Sequence, residues 1–380
     1  MTDSNTLSSS ALLCGYYGAM NIGDEAILYG TLSRISPMFS KIFVSSVDAV
    51  QTSEIHKVPT IPTFTQEPLT WISNLREVDE LIIGGGGLLE PKNTVKYSIM
   101  VSLAVLTQTK VSWYCVGVSP SSNRVDELMY RSIIEASHYV SVRDAGSRSE
   151  LRTAGVASNI DIIPDPAFRQ GVLPLTAVKT PSSYICVVLR KCEWKPIDTD
   201  TLATALDRIV RNTDTPILFT PFEDRHGDWK TIQETQDMME EDSLVYDGDI
   251  TVGCMNYLIK NSDLVIGMRL HSIILAAGNE VPSVTLSYAE KCDQITSQIY
   301  EDPVLDCSQF TDDDLVEQVL DRIQGIPDLS KRAAKLRENA GSISSKREYT
   351  KVPIEYKLRL ILLTVISMIN WTINHKWRSN

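Results

Sequence analysis

Residues Asp263 to Gly278 read DLVIGMRLHSIILAAG. A short apolar run stops at Gly267, and apolar residues at helical spacing resume from Leu270, so a strand passes into a helix within a few residues. Such a unit belongs to a parallel sheet covered by helices. It also sets Arg269 and His271 at or just before a helix N-terminus, on the carboxyl edge of a strand. Exposed amides, a positive helix end and a guanidinium make an anion site without a dedicated loop. His271 reads two ways, as a structural histidine or as an acid on which a bound phosphate would hold the proton.

The same alternation extends in both directions. Strands are expected at Ala11–Cys14, Lys41–Ser45, Glu80–Ile83, Val111–Val118 and Tyr139–Val142, with helices at Glu25–Ile35 and Val125–Ala136 among them. A second set follows, with strands at Tyr184–Leu189, Ile217–Thr220, Leu264–Ile266 and Ser283–Leu286 and helices at Thr201–Arg211 and Leu270–Gly278. Between the sets, the Pro, Thr and Ser-rich stretch Leu173–Ser183 reads as a linker. The expected division is 1–172, 184–340 and an apolar helical tail, 341–380. Two such lobes in series usually bind ligands at the carboxyl ends of their strands.

The totals agree. A chain of 380 residues is long enough for about two domains. A net charge of −12 leaves no basic face for nucleic acid, so any cations that hold an anionic ligand must be local. The seven cysteines are scattered through apolar runs such as WYCVGV, without zinc spacing or a disulfide framework. They read as reduced core cysteines. The start, MTDSNTLSSS, lacks the features of a secretory signal, so a cytoplasmic location is expected. Leu358–Ile373, LRLILLTVISMINWTI, is strongly apolar but short for a span. Packing on the body is the first reading of this tail, and peripheral membrane contact the second.

Two glycine-rich turns stand out. In GYYGAMNIGDEAI, Gly15 to Ile27, the spacing is not that of a dinucleotide fingerprint, and Asp24 and Glu25 would repel a phosphate at the helix start. Either the acidic pair caps a helix, or Asn21 and Asp24 hydrogen-bond the hydroxyls of a sugar. In LIIGGGGLLE, Gly84 to Gly87 follow an apolar strand directly. Gly85 and Gly86 are read as a close backbone approach to a ligand or an anion nest, against a tight turn crossing another strand. Arg143 in SVRDAGS follows a strand and is read against local pairing with Asp144. Lys291 in SYAEKCDQI lies past the strand Ser283–Leu286.

In order, GYYGAMNIGDEAI, IIGGGGLLE, SVRDAGS, DPAF, GMRLHSIILAA and YAEK resemble the polysaccharide pyruvyl transferase family. The resemblance implies an α/β, GT-B-like fold of two Rossmann-like domains facing a central cleft. It also implies phosphoenolpyruvate as co-substrate, no cofactor, and transfer of pyruvate as a ketal onto two hydroxyls of a glycan or lipid-linked saccharide. By motif position, Arg143 and Lys291 would bind the donor and His271 would be the general acid. Arg269, Gly85 and Gly86 are added as donor-binding groups, Asn21 and Asp24 as acceptor-binding groups, and Asp24 as a proton acceptor. No metal is called for. Arg190 and Trp194 in VVLRKCEWKP match the family's arginine-containing turn only loosely, and the tail after Pro353 lies outside the resemblance. The rival readings are a GT-B glycosyltransferase with a nucleotide-sugar donor and a non-catalytic carbohydrate-binding protein.

Overall fold

The computed structural model describes residues 9–169, 175, 177–223, 227–325, 329–341 and 349–376. The chain divides into two compact units: residues up to Ala19, Ile27–Pro166 and those from Ser342 onward in one, Met20–Ala26 and Ala167–Gly341 in the other. Of the expected linker, Leu173, Pro174 and Thr176 lie outside the described residues.

The described residues of the first unit form seven strands: β1 (Ser10–Cys14), β2 (Lys41–Ser46), β3 (Thr60–Pro62), β4 (Glu80–Gly84), β5 (Lys110–Val116), β6 (Tyr139–Val142) and β7 (Asp161–Ile162). They form one parallel sheet in the order β3-β2-β1-β4-β5-β6-β7. Helices α1 (Ile22–Ile35), α2 (Ala49–His56), α3 (Pro68–Arg76), α4 (Thr94–Leu106), α5 (Arg124–Glu135) and α6 (Ala145–Thr153) alternate with them. All five residues of β4, and every residue of β1 but Ser10, are buried. Strands covered on both faces are continuous apolar runs for that reason. Trp71, Trp113 and Tyr97 fill the core, with Tyr97 and Trp113 edge to face at 5.4 Å.

The second unit repeats the plan with β8 (Ile185–Val188), β9 (Ile217–Phe219), β10 (Ser243–Val245), β11 (Leu264–Gly267), β12 (Ser283–Ser287) and β13 (Leu305–Asp306), ordered β10-β9-β8-β11-β12-β13 and parallel throughout. Its helices are α7 (Thr199–Thr213), α8 (Asp228–Gln236), α9 (Val252–Lys260), α10 (Leu270–Gly278), α11 (Glu290–Ile299), α12 (Asp312–Ile323) and α13 (Leu329–Gly341). Asp198 and Thr251 cap α7 and α9, and Thr311 with Asp314 forms a capping box on α12.

The last helix, α14 (Ile354–Lys376), returns to the first unit and packs on α4 and α5. Leu360 enters the unit's core, and Thr364 Oγ1 meets Ser102 Oγ at 3.1 Å. Ahead of it, Thr350 N donates to His138 O and Tyr349 Oη donates to Glu80 Oε2 at 2.8 Å. Of the two readings of the tail, packing accounts for this inner face. Among the described residues, no helix is long and apolar enough to cross a membrane.

Candidate active site

In each sheet the strand order reverses at one place, and ligands of doubly wound folds gather at the carboxyl ends of the two strands there. In the first unit these are β1 and β4, which are followed by the turns that open at Gly15 and Gly84. In the second they are β8 and β11. The turns and helix starts that follow β8, β11 and β12 carry Arg190, Arg269 with His271, and Tyr288 with Lys291.

His271 is the second residue of α10 and is half-buried. Its ring lies against the backbone of Gly23, a residue of the same unit. A Cβ on Gly23 would fall within the imidazole. Only a glycine permits that approach. Asn21 is the cap of α1: its Oδ1 accepts from Gly23 N at 3.0 Å and Asp24 N at 3.3 Å, and its carbonyl accepts from Glu25 N. The cap engages the oxygen end of the Asn21 amide. Asp24 is half-buried at the head of the helix.

Arg269 is buried in a carboxylate cluster. Its Nε and Nη2 donate to the two oxygens of Asp228 at 2.9 and 2.7 Å, and Nη1 donates to Glu223 Oε2 at 2.9 Å. Asp228 Oδ2 also accepts from the amides of Phe222 and Glu223. Burial pushes the Asp228 carboxyl above its ordinary value, with Arg269 opposing the rise. The donor-binding expectation for Arg269 meets a competing fact here: two carboxylates of its own unit already answer its charge.

Lys291, exposed at the start of α11, holds its Nζ 5.3 Å from the centre of the Tyr288 ring. Neither α10 nor α11 has a side-chain cap, their N-cap residues being Arg269 and Ala289.

In the first unit Arg143 directly follows β6. Its Nε lies 3.2 Å from Asp144 Oδ2 and its Nη1 3.7 Å from Asp165 Oδ2, so the local pairing weighed from the sequence is present. Asp144 in turn caps α6 through Ser147 N at 2.6 Å. Gly85 and Gly86 have φ of 73° and 74°. A Cβ on Gly85 would strike Ile27, so close packing within the unit accounts for that glycine.

A sequence model of the polysaccharide pyruvyl transferase family matches residues 21–291. The chain belongs to the polysaccharide pyruvyl transferase family. Membership makes it an enzyme and implies pyruvyl transfer onto a polysaccharide. No curated protein matches the sequence. Solved structures that it resembles include the UDP-GlcNAc 2-epimerase of Neisseria meningitidis bound to UDP-GlcNAc, with TM-score 0.52 and 11% identity over 94% of this chain and 100% of that one. Another is the UDP-GlcNAc 2-epimerase of Methanocaldococcus jannaschii in complex with UDP-GlcNAc and UDP, with TM-score 0.51 and 11% identity over 94% and 99%. A third is the glycotransferase of kitacinnamycin, with TM-score 0.53 and 12% identity over 95% and 99%. At such identities the likeness is one of fold: α/β, GT-B-like, two Rossmann-like units.

Every family motif residue named from the sequence, from Asn21 to Lys291, lies within or at the edge of a strand-to-helix turn. Sequence reading missed the carboxylates of Arg269, which lie 41 and 46 residues away. It also missed Gly23 as the seat of His271 and Tyr288 as the ring beside Lys291. The YAEK motif contained Tyr288, but no spacing signal singled it out.

Proposed function

We propose that the chain transfers pyruvate from phosphoenolpyruvate to two hydroxyls of one sugar residue of a glycan or lipid-linked precursor. The reading rests above all on His271, set at an uncapped helix start on a sheet's switch point and held against the backbone of the family's own NIGDE segment. Protonated His271 gives its proton to the methylene carbon of the enol, which becomes a methyl group, and the positive charge left on C2 is shared with the ester oxygen. A sugar hydroxyl adds to C2 as its proton passes to Asp24. The C2–O bond to phosphate then breaks, and the second hydroxyl closes the ketal. Asp24 passes the first hydroxyl's proton on to His271 and the second hydroxyl's proton leaves with phosphate, so the sum is donor plus diol to carboxylated ketal plus hydrogen phosphate.

Asn21 and Asp24 suit an acceptor because a carboxamide and a carboxylate bind neutral hydroxyls and repel a misplaced anion. Lys291 supplies positive charge to the donor, and Arg143 and the amides of Gly85 and Gly86 keep the donor-binding roles given to them above. Arg269 is assigned to holding Glu223 and Asp228 in place of a direct donor contact.

The test is incubation of purified protein with phosphoenolpyruvate and a panel of saccharide acceptors. Phosphate release that depends on acceptor, and that His271→Gln lowers on the order of 10²-fold or more, is the expected result. Acceptor-independent release, or turnover with a nucleotide sugar alone, overturns the reading.

A second proposal concerns where the enzyme works. The outward face of α14 carries Ile354, Leu358, Leu362, Val365, Ile366 and Met368, all exposed. The segment 342–380 has seven Lys and Arg against two Glu in a chain of net charge −12. An apolar stripe in a basic segment fits the interface of an anionic bilayer. Flotation with phosphatidylglycerol vesicles is expected to carry the protein up, and Leu358→Ser with Leu362→Ser to leave it below. Equal recovery of the two proteins would count against it.

A further inference from the structure

Arg190 differs from six other arginines of its unit in what answers its charge. Arg208, Arg211, Arg269, Arg322, Arg332 and Arg337 each pair with an Asp or Glu. Among the described residues Arg190 has no such partner. Its Nη1 donates to Tyr288 Oη at 2.7 Å. Its guanidinium carbon stands 4.7 Å from the centre of the Tyr288 ring and 5.7 Å from that of Trp194. Its Nε is buried and has no acceptor among the described residues. Lys291 approaches the same Tyr288 ring and, among the described residues, likewise has no carboxylate partner.

Two cations are therefore gathered on one phenol. The ring face attracts each of them but does not cancel their mutual repulsion. A buried N–H left without an acceptor adds a further cost. An arrangement of this kind is stable when an oxyanion completes it. Its position points the same way, because β8 and β12 flank β11 in register, with Val188 beside Gly267 and Gly267 beside Thr285. The cluster thus stands at the carboxyl edge that carries His271, next to the uncapped start of α11.

We propose that Arg190 and Lys291 form a clamp for a carboxylate or phosphate group of the donor, with Arg190 in direct contact and Tyr288 positioning it. This rests on the pyruvyl-transfer reading. Nε and the remaining guanidinium N–H groups offer the paired donors that oxyanions accept. Trp194, with its ring 6.4 Å from that of Tyr288 and edge to face with it, flanks the guanidinium on the solvent side.

The experiment is calorimetric titration of the full chain with phosphoenolpyruvate, and separately with inorganic phosphate and pyruvate, beside steady-state kinetics. Arg190→Ala is expected to weaken phosphoenolpyruvate binding tenfold or more and raise the donor KM by a similar factor, leaving the acceptor KM unchanged. Arg190→Lys restores part of the loss, and Tyr288→Phe, which keeps the ring, falls between in donor KM with kcat near wild type. A loss confined to phosphate, or to pyruvate, identifies the group held. Unchanged binding and donor KM in a folded Arg190→Ala protein, or no binding of phosphoenolpyruvate to the wild type, overturns the clamp. Binding through Arg190 without any acceptor-dependent phosphate release would instead remove the pyruvyl-transfer reading and keep the anion site.

Discussion

Gly23 and His271 touch: the imidazole lies where any side chain on residue 23 would have to be. The backbone at the head of α1 therefore fixes the ring of the proposed acid. Gly23→Ala would push the ring aside, and displacing a reacting group by about 1 Å costs on the order of 10²-fold in rate. The expected outcome is a fall in kcat of that order with little change in donor KM, read from acceptor-dependent phosphate release. Wild-type kcat in Gly23→Ala would show that the ring's seat is unimportant.

Asp228 is fully buried and bidentate to Arg269. Asp228→Asn leaves the buried guanidinium, among the described residues, with Glu223 as its one carboxylate, and breaking such a pair from one side costs about 3–5 kcal/mol. Urea denaturation should show a loss of that size. A loss under 1 kcal/mol would mean that solvent already reaches the cluster.

Leu360 and Leu362 lie on opposite sides of α14, the first buried in the core and the second exposed. Leu360→Ala should cost about 2–5 kcal/mol, whereas Leu362→Ser should stay within about 0.5 kcal/mol of wild type. Thermal unfolding of the two variants separates the faces, and equal shifts would contradict the packing described.

His138 accepts from Val111 N through Nδ1 at 3.2 Å, and burial, helped by Lys357 and Lys110, holds its pKa below the ordinary 6.5. The folded protein thus favours the neutral ring. Below pH 6.5 the unfolded chain binds the proton first, so this share of stability, complete above pH 6.5, is lost as pH falls through the folded pKa. His138→Gln should flatten the dependence of unfolding free energy on pH in that window. An unchanged slope would place the titration elsewhere.

The central strands were legible because burial on both faces makes them unbroken apolar runs; ICVV and LVIG are of this kind. Edge strands such as β10, three residues with none buried, leave no such trace. The helix α1 starts at Ile22, three residues before the Glu25 expected from the sequence, because Asn21 caps it through its side-chain oxygen. Residue types at the turns were readable from local sequence. Their partners were not: nothing near Arg269 in the chain announces Glu223 or Asp228, and nothing near Arg190 announces Tyr288.

The return of α14 has a consequence for synthesis. The first unit's sheet is complete by Ile162, yet Leu360 belongs to its core. At about 5–20 residues per second, a ribosome needs roughly 10 to 40 s to travel from one to the other. Over that interval the second unit emerges while the nascent first unit still exposes the α4 and α5 surfaces that its final helix will cover. Chaperone capture during translation is therefore expected to fall on the amino-terminal half and to persist until α14 has emerged and docked.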